Sequence, residues 1–197
     1  MSPEELKAIA DRFSKQEIVQ KHLRPFGCGS WVDPLALWSL ERIGDRTIKW
    51  LIILLDWMPA KQAEQDAGDL ESNVVYCGNY YTKPWTQEQS VTFTRLFWSW
   101  WSRALLETRQ SLVINAVWGV RKPEAKIGEV ISVAEHIICA PIIASANPTR
   151  IFACGEKLSD SFRRISRVSY ICHPGYDAWP LQQEGIEQLS GQPYQGP

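Results

Sequence analysis

The chain has 197 residues, of which 45% are apolar and 22% are charged, and its formal net charge is −1 at pH 7. This length and composition predict one folded domain with a full core over residues 1–190, followed by a flexible tail over 191–197. The near-neutral charge excludes a protein that binds nucleic acid by overall charge alone, so contact with DNA would need a local basic patch.

In chain order, the sequence predicts alternating helices and buried strands. The N-terminal helix should begin at Ser2, where Pro and Glu follow a capping hydroxyl, and a loop rich in Gly and Pro should follow over 24–34. Uninterrupted apolar runs bounded by turn residues indicate buried strands rather than half-exposed ones. The predicted helices cover 2–21, 34–42, 86–109, 130–144 with a break at Pro141, and 156–165; the predicted strands cover 48–55, 74–77, 111–117, 150–154 and 167–172.

This order of elements predicts an α/β fold: a three-layer sandwich with a four-stranded, mostly parallel sheet flanked by helices. The five cysteines are odd in number and have no CxxC or Cys/His metal spacing. We therefore expect reduced thiols, no metal, no cofactor and a cytoplasmic location. The apolar run over 50–55 is too short to span a bilayer, so no membrane contact is expected, and we expect a monomer.

Three polar residues follow predicted strands at roughly even intervals. Asp56 follows the first strand, Asn115 lies near the end of the second, and His173 follows the last. Open α/β sheets bind ligands at the carboxyl ends of their strands, so we expect these residues to share one site. Each has an ordinary alternative role, since Asp caps helices and Asn and His occur in loops, and it is the combination that indicates a site.

These motifs resemble those of the uracil-DNA glycosylase superfamily, over roughly residues 48–180. Residues 112–115, Leu-Val-Ile-Asn, resemble the family's Leu-Leu-Leu-Asn strand, and residues 173–176, His-Pro-Gly-Tyr, resemble its His-Pro-Ser-Pro loop. The first motif, Leu-Leu-Asp-Trp-Met-Pro at 54–59, keeps only the Asp of the family's Gly-Gln-Asp-Pro-Tyr-His. The resemblance implies a monofunctional DNA glycosylase that acts on a pyrimidine flipped out of DNA.

The resemblance implies a role for each of the three residues. Asp56 would position water and stabilise the oxocarbenium-like sugar, and His173 would donate a hydrogen bond to the base oxygen. Asn115 would read the pyrimidine, because its carboxamide offers one acceptor and two donors. The chemistry agrees independently, since cleavage of an N-glycosidic bond places positive charge on the sugar and negative charge on the base.

Further residues would shape the substrate. Met58 stands where the strict uracil enzymes have a Tyr that excludes thymine, and a flexible thioether would admit larger 5-substituents. The base is then uracil or a bulky modified cytosine, such as the glucosylated hydroxymethylcytosine of phage DNA, in repair or in phage defence. Tyr80 or Tyr81 could stack on the flipped base, and Tyr176 could enter the duplex where the base left.

Two other classes of function stay open at the level of sequence. A catalytically inactive nucleic-acid-binding module of the same fold would explain the altered residues around Asp56. A nucleotide or sugar-nucleotide transferase could use the same sheet, although neither GxGxxG nor GxxxxGK[ST] occurs. A basic rim for phosphates would use residues that could equally form a solvated surface: Arg121, Lys122, Lys126, Arg163, Arg164 and Arg167.

Overall fold

The computed structural model describes residues 1–26, 29–55, 110–154, 158 and 168–171. It confirms a mixed α/β class. The predicted elements over 74–77 and 86–109, nearly all of 156–165 and the tail lie outside the described residues. The helices are α1 (Pro3–Ser14), α2 (Glu17–His22), α3 (Pro34–Ile43), α4 (Ile127–Ala134) and α5 (Ala140–Ala146); the strands are β1 (Leu23–Arg24), β2 (Trp50–Leu54), β3 (Ser111–Asn115), β4 (Val120–Arg121), β5 (Arg150–Cys154) and β6 (Val168–Ile171).

Strand β2 has parallel neighbours on both sides. It pairs with β3 from Trp50↔Ser111 to Leu54↔Asn115, and with β5 from Trp50↔Arg150 onward. Strand β6 runs parallel to β5 on the side away from β2. Residues 51–54 and 111–115 are all buried, as expected for parallel strands covered on both faces. The carboxyl ends of β2 and β3 therefore lie side by side.

The N-terminal helix begins as predicted but is shorter. Ser2 and Glu5 form a capping box, which satisfies two free backbone donors at the helix start. The single helix predicted over 2–21 is wrong, because the chain breaks after Ser14 and α2 starts at Glu17. At the break, Gln16 is extended, and its side-chain amide donates to the carbonyl of Arg12 at 3.1 Å, so a side chain supplies the hydrogen bond that the helix gives up.

The predicted break at Pro141 takes a different form. Between α4 and α5 the chain makes a π-helical turn over Glu135–Cys139, and the helical stretch continues through Pro141 to Ala146. Pro141 has no N–H to donate and its ring would collide with the carbonyl four residues earlier, and a π turn relieves that conflict without ending the helix.

The same stretch, Ile127–Ala146, is long and apolar enough by length and composition to cross a membrane. Helices in the core of a globular protein can have the same length and composition, and one face of this stretch is buried in the core. Its other face carries the exposed Glu129 and His136. Among the described residues it is the one helix of this kind.

A short antiparallel pair, which the sequence did not predict, joins the N-terminal helices to the segment after β3. Leu23 pairs with Arg121 and Arg24 with Val120. Gly119, just before β4, has a φ of +121°, and a Cβ there would lie 2.8 Å from the Arg24 carbonyl oxygen. Only glycine allows this conformation and this close approach of two backbone segments.

One hydrophobic core joins the sheet to α1, to α3 and to the helical stretch Ile127–Ala146. Its largest fully buried side chains are Phe13, Leu6, Leu23, Ile43, Leu51, Ile53 and Trp118. The core therefore holds the carboxyl end of β3 on a rigid base.

Candidate functional site

Asn115 is the predicted site residue that the structure describes. It is the last residue of β3 and lies opposite Leu54, the last residue of β2. Asn115 is buried, with 2% of the residue exposed. Asp56 follows Leu54 by two positions in the sequence.

Asp33, which the sequence placed only in a loop, binds Asn115 directly. Asp33 is the N-cap of α3, and its Oδ1 accepts the backbone N–H of Leu35 at 3.0 Å. Its Oδ2 accepts the backbone N–H of Asn115 at 2.6 Å. The side-chain Nδ2 of Asn115 lies 3.3 Å from both carboxylate oxygens. One fully buried carboxyl group thus holds the main chain and the side chain of Asn115.

Helix α3 covers the outer side of β3. Within the described residues β3 has a neighbouring strand on one side, β2, so its outward N–H groups need other acceptors. Ser39 Oγ accepts the N–H of Val113 at 3.1 Å and lies 3.2 Å from the Val113 carbonyl. Asp33 accepts the next outward N–H, that of Asn115. Two polar side chains, Ser39 in α3 and Asp33 at its N-cap, therefore accept N–H groups on the side of β3 where the described residues supply no neighbouring strand.

The segment after Asn115 is also fixed in place. The indole Nε1 of the fully buried Trp118 donates to the Asn115 carbonyl at 2.9 Å. The N–H groups of Ala116 and Val117 donate to the carbonyls of Leu54 and Leu55 at 2.7 and 3.0 Å. Asn115 is consequently held from both sides, so its amide has little freedom to move.

The other predicted site residues lie outside the described residues. These are Asp56, Met58, Tyr80, Tyr81, His173 and Tyr176. The strands that precede Asp56 and His173 in the sequence, β2 and β6, are described and run in the same direction as β3 through their parallel pairings.

Three residues of the predicted basic rim are described, namely Arg121, Lys122 and Lys126. Lys122 Nζ donates to the Gln20 carbonyl at 2.5 Å, and Lys126 Nζ lies 3.6 Å from Glu129 Oε1. Arg121 belongs to β4 and is partly buried. The two lysines thus make local contacts with α2 and α4.

Of the two described histidines, His22 is buried and His136 is exposed, and each makes hydrogen bonds within the fold. His22 is 4% exposed; its Nδ1 accepts the N–H of Lys126 at 3.3 Å and its Nε2 lies 3.2 Å from Glu129 Oε2. This hydrogen bond is the main reason that the pKa of Glu129 is lowered. His136 pairs with its own helix through the Ser132 carbonyl. Within the described part of the chain, no cluster of His, Cys, Asp and Glu could hold a metal ion.

Among the cysteines, Cys139 is a free thiol buried in the core. Burial raises its pKa well above the ordinary range of a thiol, so it is held in the protonated, unreactive form. This agrees with the expectation of reduced core cysteines at that position.

No protein-family model matches the sequence, and no curated protein is significantly similar to it.

Proposed function

We propose that this protein is a DNA glycosylase that hydrolyses the N-glycosidic bond of a modified or damaged pyrimidine and leaves an abasic site. The observation that carries the proposal is the register of β2 and β3. Leu54 lies opposite Asn115, and Leu55, the last described residue after β2, accepts the N–H of Val117. The described chain therefore leaves β2 beside a rigidly held amide, and Asp56 is the next residue in the sequence. A carboxylate and an amide are the groups needed to act on the sugar and to read the base.

The order of the strands supports a ligand site at the same end of the sheet. From β2 the chain goes next to β3 on one side, and from β5 it goes next to β6 on the other. In open α/β sheets, ligands bind outside the carboxyl ends of the strands where this reversal occurs, here between β2 and β5. We infer a three-layer sandwich with a four-stranded sheet, which the pairing of β6 with β5 supports.

In the proposed reaction, water adds to C1′ of the deoxyribose as the bond from C1′ to the base nitrogen breaks. Asp56 orients the water, which loses a proton to solvent as its oxygen bonds to C1′, and stabilises the positive charge on the sugar. The base leaves with the bonding electron pair. His173 donates a hydrogen bond to the base oxygen that gains charge, and the base is then protonated from solvent. Met58 limits the 5-substituent, Tyr80 or Tyr81 stacks on the base, and Tyr176 fills the space in the duplex.

The test is single-turnover base release, measured as alkali-labile abasic sites. DNAs of one sequence would carry uracil, 5-hydroxymethylcytosine or its glucosylated form. Asp56→Asn should abolish release from whichever DNA the unaltered protein cleaves. The matched control is Asp45→Asn, which removes an exposed carboxylate before β2, at the opposite end of the same strand, and should leave the rate unchanged.

A catalytically inactive nucleic-acid-binding module is the second candidate. The buried hydrogen bonds between Asp33 and Asn115 favour it, because they give Asn115 a role in the folded structure even if it binds no substrate. Folded protein that binds DNA but releases no base from any of the three DNAs would establish this second function. Release that depends on Asp56 would exclude it.

A further inference from the structure

The carboxyl group of Asp33 determines which end of the Asn115 amide is free. Both oxygens of Asp33 already accept backbone N–H groups, from Leu35 and from Asn115. A side-chain group facing both oxygens at 3.3 Å must then be a donor, which is Nδ2 and not Oδ1. No described residue other than Asp33 is hydrogen-bonded to the Asn115 side chain.

The same geometry determines which of the two amide protons is used. Asp33 lies on the main-chain side of Asn115, because its Oδ2 also accepts the Asn115 backbone N–H. The amide proton that points back toward the main chain is the one on the Cβ side of Nδ2. The other amide proton lies beside Oδ1. This proton and Oδ1 form one edge of the amide, with a donor at one end and an acceptor at the other, and their order is fixed.

The order of donor and acceptor matters because uracil and cytosine differ there. At N3 and the 4-position, uracil offers a donor and then an acceptor, whereas cytosine offers an acceptor and then a donor. If a rigid amide pairs with one of these bases, the other base in the same position places donor against donor and acceptor against acceptor. A freely turning amide could match either base.

We propose that Asp33 is a positioning residue that sets the orientation of the Asn115 amide and thereby selects between 4-oxo and 4-amino pyrimidines. This rests on the proposed function, and it assigns the selection to a helix cap 82 residues earlier in the chain. Selection depends on Asp33 because a carboxylate presents only acceptors. A carboxamide at the same place presents one donor and one acceptor, and either end of Asn115 could face it.

The experiment compares affinities for DNAs whose target nucleotide is 2′-fluorinated, so that the glycosidic bond stays intact. The target bases are uracil and cytosine, and then 5-hydroxymethyluracil and 5-hydroxymethylcytosine, so that the 5-substituent is the same within each pair. The unaltered protein should prefer one member of each pair by about tenfold or more. Asp33→Asn should bring that ratio close to one.

The matched control is Ser39→Ala. Ser39 is on the same helix, is buried, and bonds the same strand two residues earlier, at Val113. Its loss weakens the contact of α3 with β3 without changing the acceptors around Asn115, so the base preference should stay within twofold of the unaltered protein. A preference lost equally in both variants would show a general loosening of β3 and would overturn the proposal.

A measurement on the unaltered protein covers the case in which Asp33→Asn does not fold. With ¹⁵N-labelled asparagine, the side-chain Nδ2 protons of Asn115 should show nuclear Overhauser contacts to the Cβ protons of Asp33. Their absence would mean that the amide oxygen faces Asp33 and would overturn the proposal.

The two proposals can fail separately. Base release that depends on Asp56, together with a preference that Asp33→Asn leaves intact, would overturn the role of Asp33 and keep the glycosylase. Protein that neither releases a base nor distinguishes one by affinity would overturn both.

Discussion

Asp33 is the residue on which the geometry of the site depends. It is fully buried, and its carboxyl group is surrounded by donors from two parts of the chain. A buried carboxyl group is tolerable only when donors replace the water that it lost. The start of α3 and the end of β3 supply those donors. A shift of either segment would therefore leave the buried carboxyl group short of a hydrogen-bond donor.

Substitution of His173 gives the most direct test of the proposed base release. His173→Ala should lower single-turnover base release by about 100- to 1000-fold, because a donor to the departing base typically contributes about 2.7 to 4 kcal/mol to the transition state. Circular dichroism would check that the variant is folded. A loss of less than about threefold would contradict the role of His173 as a leaving-group donor.

At the scale of elements, the covering of β3 by α3 is the main feature that joins local structure to the site. The outward N–H groups of a strand usually bond a neighbouring strand or, at the edge of a sheet, face solvent. Here Ser39 and Asp33 accept two of them. This arrangement explains why β3 can be buried along its whole length and still end in a polar residue.

The junction before β4 gives a prediction about stability. Gly119→Ala should lower the free energy of unfolding by about 1 to 3 kcal/mol, because a φ of +121° is strained for alanine and its Cβ would lie 2.8 Å from the Arg24 carbonyl oxygen. Urea unfolding would measure the change. The control is Gly128→Ala in α4, where a Cβ meets nothing within 4 Å, and stability there should be equal or higher. Equal stability for both variants would contradict the close approach of Gly119 to Arg24.

At the scale of the whole molecule, distant segments of the chain meet through a few polar contacts around one core. Glu5 shows this well: its Oε2 accepts the N–H of Ser2 at 2.5 Å, and its Oε1 accepts the hydroxyl of Ser145 at 2.9 Å. The first turn of α1 is thereby joined to the end of α5, and the bond from Ser145 is the main reason that the pKa of Glu5 is lowered.

This lowered pKa predicts how stability depends on pH. The ionised Glu5 stabilises the fold above its ordinary pKa of 4.5, and that contribution is lost as pH falls through the lower pKa of the folded state. Glu5→Gln should therefore cost about 0.5 kcal/mol at pH 7, a small value because the side chain is half exposed. In urea unfolding from pH 7 to pH 3, the gap between the variant and the unaltered protein should close below pH 4.5. A gap that stays constant from pH 7 to pH 3 would contradict the prediction.

The sequence by itself determined the mixed α/β class, the capped start of α1 and the positions of the strands near 50–54, 111–115 and 150–154. These follow from short-range patterns, such as a cap followed by Pro and Glu or an apolar run between turns, which need no distant partner. Local signals also misled: no residue between 2 and 21 indicated the break at Gln16, and Pro141 indicated a break where the helix continues after a π turn over Glu135–Cys139.

Only the tertiary structure decided what surrounds Asn115. The sequence placed Asp33 only in a loop, and nothing near it in the sequence indicates a bond to a residue 82 positions later. The same holds for Ser39 with Val113 and for the β1–β4 pair. Such contacts arise because burial of the sheet leaves backbone and amide donors that must find acceptors, and packing of the whole chain determines which side chain is close enough to serve.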